Sequence, residues 1–229
     1  MKRLFFALAL CAASGACMAG GDMRFYEARS DKIRFTGRAA ENGDGSLSFD
    51  WSGCHFTFRF DGSRCAMRAA DTGRNYYNVF VDGRLYGKAT VEGASSCVPL
   101  AEGLAPGPHT VTVQKRTEAE QGRTTLYGIE ADGALLDLPP APSRLIEFIG
   151  DSHTVGYGVR SASRDCTEQQ VHDLTDTSLA FGPILAARLD ADYRIEAFSG
   201  RGVVRNYNGL APGEPLPVLF PRVIPGQSE

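Results

Sequence analysis

The chain has 229 residues, 43% hydrophobic and 22% charged, a composition typical of globular rather than disordered or fibrous proteins. Its 24 basic and 27 acidic residues give a net charge of −3 without a basic run, so nothing indicates a nucleic-acid partner. No run of about 18 apolar residues, the length of a membrane span, occurs. At about 100–200 residues per domain, the length fits one large domain or one and a half ordinary ones.

The first residues have the pattern of a secretory signal peptide. Basic residues at 2–3 precede an apolar run at 4–13 and small residues at 14–19. We expect residues 1–19 to be cleaved and the protein to be secreted or periplasmic. Lipidation of Cys17 is a lesser alternative, because an aliphatic residue is usual where Ser14 stands.

Export would place the remaining cysteines in an oxidising compartment. The mature chain keeps four of them, which would form disulfides or stay as buried thiols. The four are Cys54, Cys65, Cys97 and Cys166, and the sequence does not choose among their three possible pairings. Their spacing contains no CxxC pair and predicts no zinc site, so we expect neither a metal nor a cofactor.

Residues 22–140 are predicted to form an all-β domain, a jelly-roll β-sandwich. Apolar and polar residues alternate at 54–60, 77–81 and 109–115, as in strands with one buried face. The residues predicted to face the core are Cys54, Phe56, Phe58, Phe60, Tyr77, Val79, Val81, Val111 and Val113. Asp82-Gly83 indicates a tight hairpin, and a further strand, 126–131, follows without a convincing helix between.

Residues 141–229 are predicted to begin an α/β domain after the proline-rich linker 138–142. Leu145–Ile149 is mostly apolar, which is typical of a buried parallel strand. A polar segment, 161–176, leads to a helix in which Pro183 lies either in the first turn or at a kink. Its apolar face would consist of Phe181, Ile184, Leu185 and Leu189. With a second strand at 193–198, the order strand, helix, strand predicts a parallel sheet.

Ser152 is the candidate nucleophile. It follows the first strand of this sheet, at the carboxyl edge where α/β sheets bind their ligands. The alternative is structural, because Asp151 and Ser152 are both good helix N-caps. Gly200 and Gly202 follow the second strand, where a glycine brings a backbone N–H close to a substrate oxygen or simply forms a turn.

None of the four histidines is predicted to be the general base that a serine nucleophile requires. His153 is adjacent to Ser152, so its side chain should point away from the hydroxyl. His55 and His109 are predicted at surface positions of strands. His172 belongs to the polar segment and would reach Ser152 only by chance.

Two segments resemble the SGNH (GDSL-type) hydrolases. Residues 146–158 (IEFIGDSHTVGYG) are similar to the first block of that family, and 197–207 (AFSGRGVVRNY) to the second. Upstream, 75–83 (NYYNVFVDG) and 113–119 (VQKRTEA) resemble the N-terminal jelly roll of carbohydrate esterase family 2. Enzymes of this family remove acetyl groups from plant polysaccharides such as xylan.

The resemblance implies a carbohydrate O-acetyl esterase that forms an acyl-enzyme. Ser152 would be the nucleophile and its N–H one oxyanion donor. Gly200 or Gly202 would supply another, and Asp151 would support the turn. The partner would be an acetylated polysaccharide or oligosaccharide, without a metal or cofactor.

Two functional blocks of that family have no counterpart in the sequence, namely the GxND-type block with its Asn and the last block with the catalytic His. We therefore expect residues 141–229 to be the N-terminal part of an SGNH domain, and the chain as given to be a nearly inactive fragment. Loss of the base from such a catalytic unit costs about 10⁶-fold in rate. The alternative is a non-catalytic carbohydrate-binding sandwich with a vestigial esterase segment.

Overall fold

The structure, a computed structural model, describes residues 23–226. The predicted signal peptide, with Cys17, lies outside the described residues. Within the part of the chain that is described, no helix is both long and apolar enough to cross a membrane.

Strands make up most of the described chain. They are β1 (Arg24–Glu27), β2 (Ile33–Thr36), β3 (Ala40–Glu41), β4 (Leu47–Phe49), β5 (His55–Asp61), β6 (Cys65–Val81), β7 (Arg84–Ala101), β8 (Pro108–Lys115), β9 (Thr124–Ala131), β10 (Leu135–Leu136), β11 (Leu145–Gly150) and β12 (Asp192–Ala197). The α-helices are α1 (Ser152–Val155), α2 (Glu168–Leu174), α3 (Phe181–Arg188) and α4 (Leu216–Leu219). Short 3₁₀ turns occupy Ala119–Gln121, Thr177–Leu179 and Tyr207–Gly209. We call residues 24–136 the strand module and residues 144–226 the α/β segment.

One antiparallel sheet runs through the whole strand module. Its centre is the hairpin of β6 and β7, closed by Asp82 and Gly83, whose φ angles of 51° and 77° suit the predicted tight turn. The first half of β6 pairs with β9 and its last residues, 77–81, pair with β8. Because β6 changes partners along its length, the ten-stranded sheet of residues 24–136 curls over on itself.

The curled sheet encloses the main hydrophobic core. All nine side chains predicted to face inward are buried, which confirms the period-two pattern. Phe49 packs edge-on against Phe35 with ring centroids 5.1 Å apart. Cys54 and Cys65 are buried free thiols and Cys166 is a half-buried one.

The α/β segment contains one parallel pair of strands. β11 lies beside β12, with Leu145 opposite Asp192 and Gly150 opposite Ala197. The prediction of a buried strand was wrong for β11, since Leu145 and Ile149 are 52% and 55% exposed. Among residues 23–226, no strand other than β12 pairs with β11, so one edge of β11 stays unpaired.

The helix that packs on this pair begins at Phe181 and carries Pro183 in its first turn, without a kink. Its buried residues are small, Gly182, Pro183 and Ala186, and Gly182 lies against Phe148 and Ile195 of the sheet. A Cβ on Gly182 would lie 3.0 Å from the Phe148 ring, so a larger residue there would have to push the ring aside. The predicted apolar face is therefore turned to solvent, with Phe181, Ile184, Leu185 and Leu189 all exposed.

The predicted polar segment contains a helix that its composition did not indicate. α2 begins with a capping box, in which the Thr167 hydroxyl accepts a hydrogen bond from Gln170 N–H. The Gln170 side chain in turn accepts one from Thr167 N–H. The pattern Thr-x-x-Gln was thus the available sequence signal for this helix.

Buried polar contacts join the two regions. His55 Nε2 donates to Asp192 Oδ1 at 3.0 Å, and its ring lies 4.9 Å from that of Tyr193. The surface position predicted for His55 was therefore wrong. Gln114 Nε2 donates to the Tyr193 hydroxyl at 2.5 Å, and Arg38 forms an ion pair with the buried Glu196 at 3.0 Å.

Candidate active site

The site lies where β11 and β12 end side by side. Gly150 and Ala197 are paired in register, and Phe198 N–H donates to Gly150 O at 3.1 Å. The parallel pairing places the residues that follow each strand at the same edge. Ser152 and Gly200 lie in the turns that follow these strand ends, and both line one cleft of about 1090 Å³.

A compact turn presents Ser152. Asp151 is the N-cap of α1, and its carboxylate accepts a hydrogen bond from His153 N–H at 3.1 Å. A Cβ on Gly150 would lie 2.1 Å from Thr154 Oγ1, so only glycine fits directly before the turn. The partly exposed Ser152 is the first residue of the helix. Its own N–H therefore lies among the first donors of α1, which lack partners within the helix.

The two candidate glycines differ in what their N–H groups bind. Gly202 N–H donates to Asn206 Oδ1 at 3.1 Å, so it is not available to a substrate. Gly200 has a φ of +73°, and no acceptor within the described chain takes a hydrogen bond from its N–H. Of the two candidates, Gly200 is therefore the one whose N–H has no acceptor within the described chain, whereas the N–H of Gly202 is bound to Asn206.

Four parts of the described chain form the walls of the cleft. Besides the ends of β11 and β12, they are the strand-module loop 117–121 and helix α2. The exposed rings of Tyr157 and Tyr207 also line it. The strand module thus contributes directly to the cleft that holds Ser152.

The histidines contribute unequally. His153 points away from Ser152, as predicted, with its ring 91% exposed and Nδ1 3.4 Å from Asp151 Oδ1. His172, in contrast to the prediction, lines the cleft, where its ring packs 4.9 Å from that of Tyr76. Burial lowers the pKa of His172 and favours the neutral ring. Among residues 23–226, no histidine forms a hydrogen bond with Ser152.

His109 is remote from the cleft. Its Nδ1 lies 2.7 Å from Asp82 Oδ2, beside the β6–β7 turn. It does not line the cleft, so it has no part in the candidate site.

The buried carboxylate of Asp176 supports the Ser152 turn through hydrogen bonds. Asp176 is fully buried and accepts hydrogen bonds from Arg160 Nε at 2.6 Å and from Asn78 Nδ2 at 2.7 Å. Burial raises the pKa of Asp176, but these hydrogen bonds and that from Ser178 outweigh it, so the pKa is lowered. The next residue, Thr177, donates to Val155 O at the end of α1. The network therefore ties the Ser152 turn to β6 of the strand module.

Sequence reasoning missed Glu118, a buried residue of the 117–121 loop. Glu118 Oε2 accepts a hydrogen bond from Ser199 N–H at 3.2 Å. Burial raises the pKa of Glu118 to about 7, although the hydrogen bond from Ser199 opposes the shift. The run Lys115-Arg116-Thr117-Glu118 is polar throughout and entirely buried, so no hydrophobic period could have marked it.

Comparison with known proteins relates the strand module to a family. The sequence model described as "Carbohydrate esterase 2 N-terminal" matches residues 35–140. These residues thus match the N-terminal domain of carbohydrate esterase family 2, and the relatives support the same family. The chain is 37% identical over 177 residues to an acetylxylan esterase / glucomannan deacetylase of Cellvibrio japonicus, a match that covers 77% of this chain and 48% of that protein. It is 34% identical to the cellulase/esterase CelE of Acetivibrio thermocellus, over 76% of this chain and 21% of that one.

The fold agrees with that family assignment. A family two carbohydrate esterase from Clostridium thermocellum, solved in complex with cellohexaose, superposes with a TM-score of 0.80 at 31% identity. The match covers 84% of this chain and 59% of that one. This chain thus spans about half the length of the Cellvibrio japonicus relative and of the solved esterase.

Proposed function

We propose that the protein to which this chain belongs is a serine-type carbohydrate O-acetyl esterase that acts on acetylated polysaccharides such as xylan or glucomannan. The observation that carries the proposal is the placement of Ser152 and Gly200 at the joined carboxyl ends of β11 and β12, in one cleft. The names of the relatives support the substrate class. The exposed Tyr157 and Tyr207 rings give the cleft surfaces on which a sugar would pack.

The proposed reaction proceeds through an acetyl-enzyme. Ser152 Oγ adds to the acetyl carbonyl carbon, and its proton passes to a general base. Ser152 N–H and Gly200 N–H stabilise the oxyanion that forms. When the carbonyl is restored, the bond to the sugar oxygen breaks and that oxygen takes the proton from the base. Water then hydrolyses acetyl-Ser152 to acetate by the same steps.

The general base is the part of this proposal that the described residues do not supply. His172 lies in the cleft wall but forms no hydrogen bond with Ser152. We propose that a longer form of the protein provides both the base and a further oxyanion donor. A protein limited to the described residues would then be nearly inactive, because loss of the base costs about 10⁶-fold in rate.

The proposal also includes the domain division and the location. Residues 22–140 would be a jelly-roll sandwich and residues 141–229 the first part of an SGNH-type α/β domain. The curled antiparallel sheet and the separate parallel pair support this division. Export guided by residues 1–19 would bring the enzyme to its polysaccharide outside the cytoplasm.

Substitution of the nucleophile tests the proposal. In the full-length protein, Ser152→Ala should lower the hydrolysis of p-nitrophenyl acetate and the release of acetate from acetylated xylan by at least about 10³-fold, because it removes the attacking oxygen. Ser95→Ala, an exposed serine on β7, is the matched control and should keep the wild-type rate. Equal rates for the wild type and Ser152→Ala would exclude the serine mechanism.

The same variants separate the alternative, a carbohydrate-binding sandwich without catalysis. That function predicts retardation of the wild type on acetylated xylan or glucomannan in affinity electrophoresis, with no release of acetate by any form. Acetate release that depends on Ser152 would exclude it.

A further inference from the structure

The turn that contains Gly200 is held partly by a side chain from the strand module. Within the α/β segment, Arg201 N–H donates to Phe198 O at 3.2 Å and Tyr207 N–H donates to Gly200 O at 2.9 Å. Ser199 N–H, directly before Gly200, donates to Glu118 Oε2 instead. The peptide that leads into the candidate oxyanion donor is therefore fixed by a residue 81 positions upstream.

Glu118 is itself firmly held. Only 4% of its surface is exposed. Below it, the fully buried Lys115 Nζ donates to Thr117 O and to Glu118 O, each at 2.8 Å. These two bonds fix the backbone of the loop from which the Glu118 side chain extends. The carboxyl group extends from this fixed backbone to the Phe198–Ser199 peptide, so it links the position of the strand module to the peptide directly before the one that carries Gly200 N–H.

We propose that Glu118 is a positioning residue for acetyl transfer, which orients the turn so that Gly200 N–H points at the developing oxyanion. The inference rests on the function proposed above, with Ser152 as nucleophile and Gly200 as donor. An oxyanion donor acts through pre-organisation, so its direction matters as much as its presence. A displacement of about 1 Å at a reacting group costs about 10²-fold in rate. The strand module then takes part in the reaction, beyond any binding of the polysaccharide.

The test compares variants of the full-length protein that keep or lose the acceptor oxygen. Glu118→Ala removes it, Glu118→Asp withdraws it from Ser199 by one methylene, and Glu118→Gln retains a carbonyl oxygen in its place. Glu130→Gln is the matched control, because Glu130 is an equally buried carboxyl group of the strand module, 3% exposed, and does not line the cleft. For each we would measure kcat and KM with p-nitrophenyl acetate and with an acetylated xylo-oligosaccharide, together with the melting temperature.

We expect Glu118→Ala and Glu118→Asp to lower kcat by about 10- to 100-fold on both substrates, with KM nearly unchanged, because the oxyanion forms on the acetyl group in either case. Glu118→Gln should restore kcat to within about fivefold of the wild type, since its amide oxygen can still accept the hydrogen bond. Glu130→Gln should keep the wild-type kcat whatever its melting temperature.

Several results would overturn the inference. One is a wild-type kcat in folded Glu118→Ala or Glu118→Asp, and another is a kcat for Glu118→Gln as low as that for Glu118→Ala. A loss confined to KM for the oligosaccharide would instead make Glu118 a substrate-binding residue. If Glu118→Ala does not fold, Glu118→Asp and Glu118→Gln decide the matter. An active wild type with unaffected Glu118 variants refutes only this inference, whereas absence of Ser152-dependent hydrolysis refutes the proposed function as well.

Discussion

The strand module and the α/β segment bury apolar side chains to very different degrees. The strand module encloses a large continuous core of aromatic and aliphatic residues. The α/β segment has only small clusters, one of which consists of Val155, Ile195 and Ala197 with Phe148 and Tyr193 packed against it. The catalytic candidates nevertheless lie on the α/β segment. The comparison indicates that one region supplies most of the stability and the other most of the proposed chemistry.

Removing a core ring from the strand module should have the largest effect on folding. Phe58 has no exposed surface, and its ring lies 6.0 Å from that of Phe60. We expect Phe58→Ala to lower the free energy of unfolding by about 3–5 kcal/mol, because it removes buried apolar surface and leaves a cavity. Urea denaturation followed by tryptophan fluorescence would measure it. A cost below about 1 kcal/mol would mean that the core can close around the gap.

Much of this core was predictable from sequence because strand periodicity is a local property. The alternation at 54–60 places Phe56, Phe58 and Phe60 on one face whatever their neighbours are, and all three are buried. The burial of β11 was not predictable in the same way. Its residues have the composition of a central strand, but burial depends on which elements cover them, and that information is not local.

The buried polar residues His55 and Glu118 could not be predicted from sequence for a related reason. His55 is buried only because Asp192 and Tyr193, 137 and 138 positions away along the chain, pack against it. Glu118 likewise has its partner in Ser199. Ser152, Asp151 and Gly200 could be chosen beforehand because strand ends in α/β sheets present ligands at a known edge. No such rule marks a side chain that reaches the site from another region.

Acid should weaken the junction between the two regions before it affects the core. Burial raises the pKa of Asp192, but the hydrogen bond and the charge of His55, with donors from Tyr193 and Thr36, outweigh it and lower the pKa to about 2. The carboxyl group of an unfolded chain titrates near 3.8. Between these values the unfolded state binds more protons, so the stabilisation from Asp192 is nearly complete above about pH 5 and is lost as the pH falls towards 2.

Asp192→Asn isolates this contribution. The quantity to compare is the free energy of unfolding of the wild type minus that of the variant. We expect this difference to be larger at pH 5 than at pH 2, by up to about 2 kcal/mol. Urea denaturation at both pH values gives the two differences. A difference that does not change with pH would show that the His55–Asp192 contact adds no stability through charge.

The smallest effect is expected on the outer face of α3, and it gives the sharpest test of the comparison. Phe181 is as large as Phe58 but 55% exposed, and its one aromatic contact in the described chain is edge-on with Phe148, at 5.8 Å. Phe181→Ala should therefore lower the free energy of unfolding by no more than about 0.5 kcal/mol in a protein limited to the described residues, since it removes little buried surface.

The same substitution in a longer form of the protein measures whether this face of α3 is covered there. A cost that rises to about 3 kcal/mol, within the range for a buried ring, would mean that α3 belongs to a core completed by other residues. An unchanged small cost in both forms would mean that the α/β segment relies on its polar contacts with the strand module for its fold.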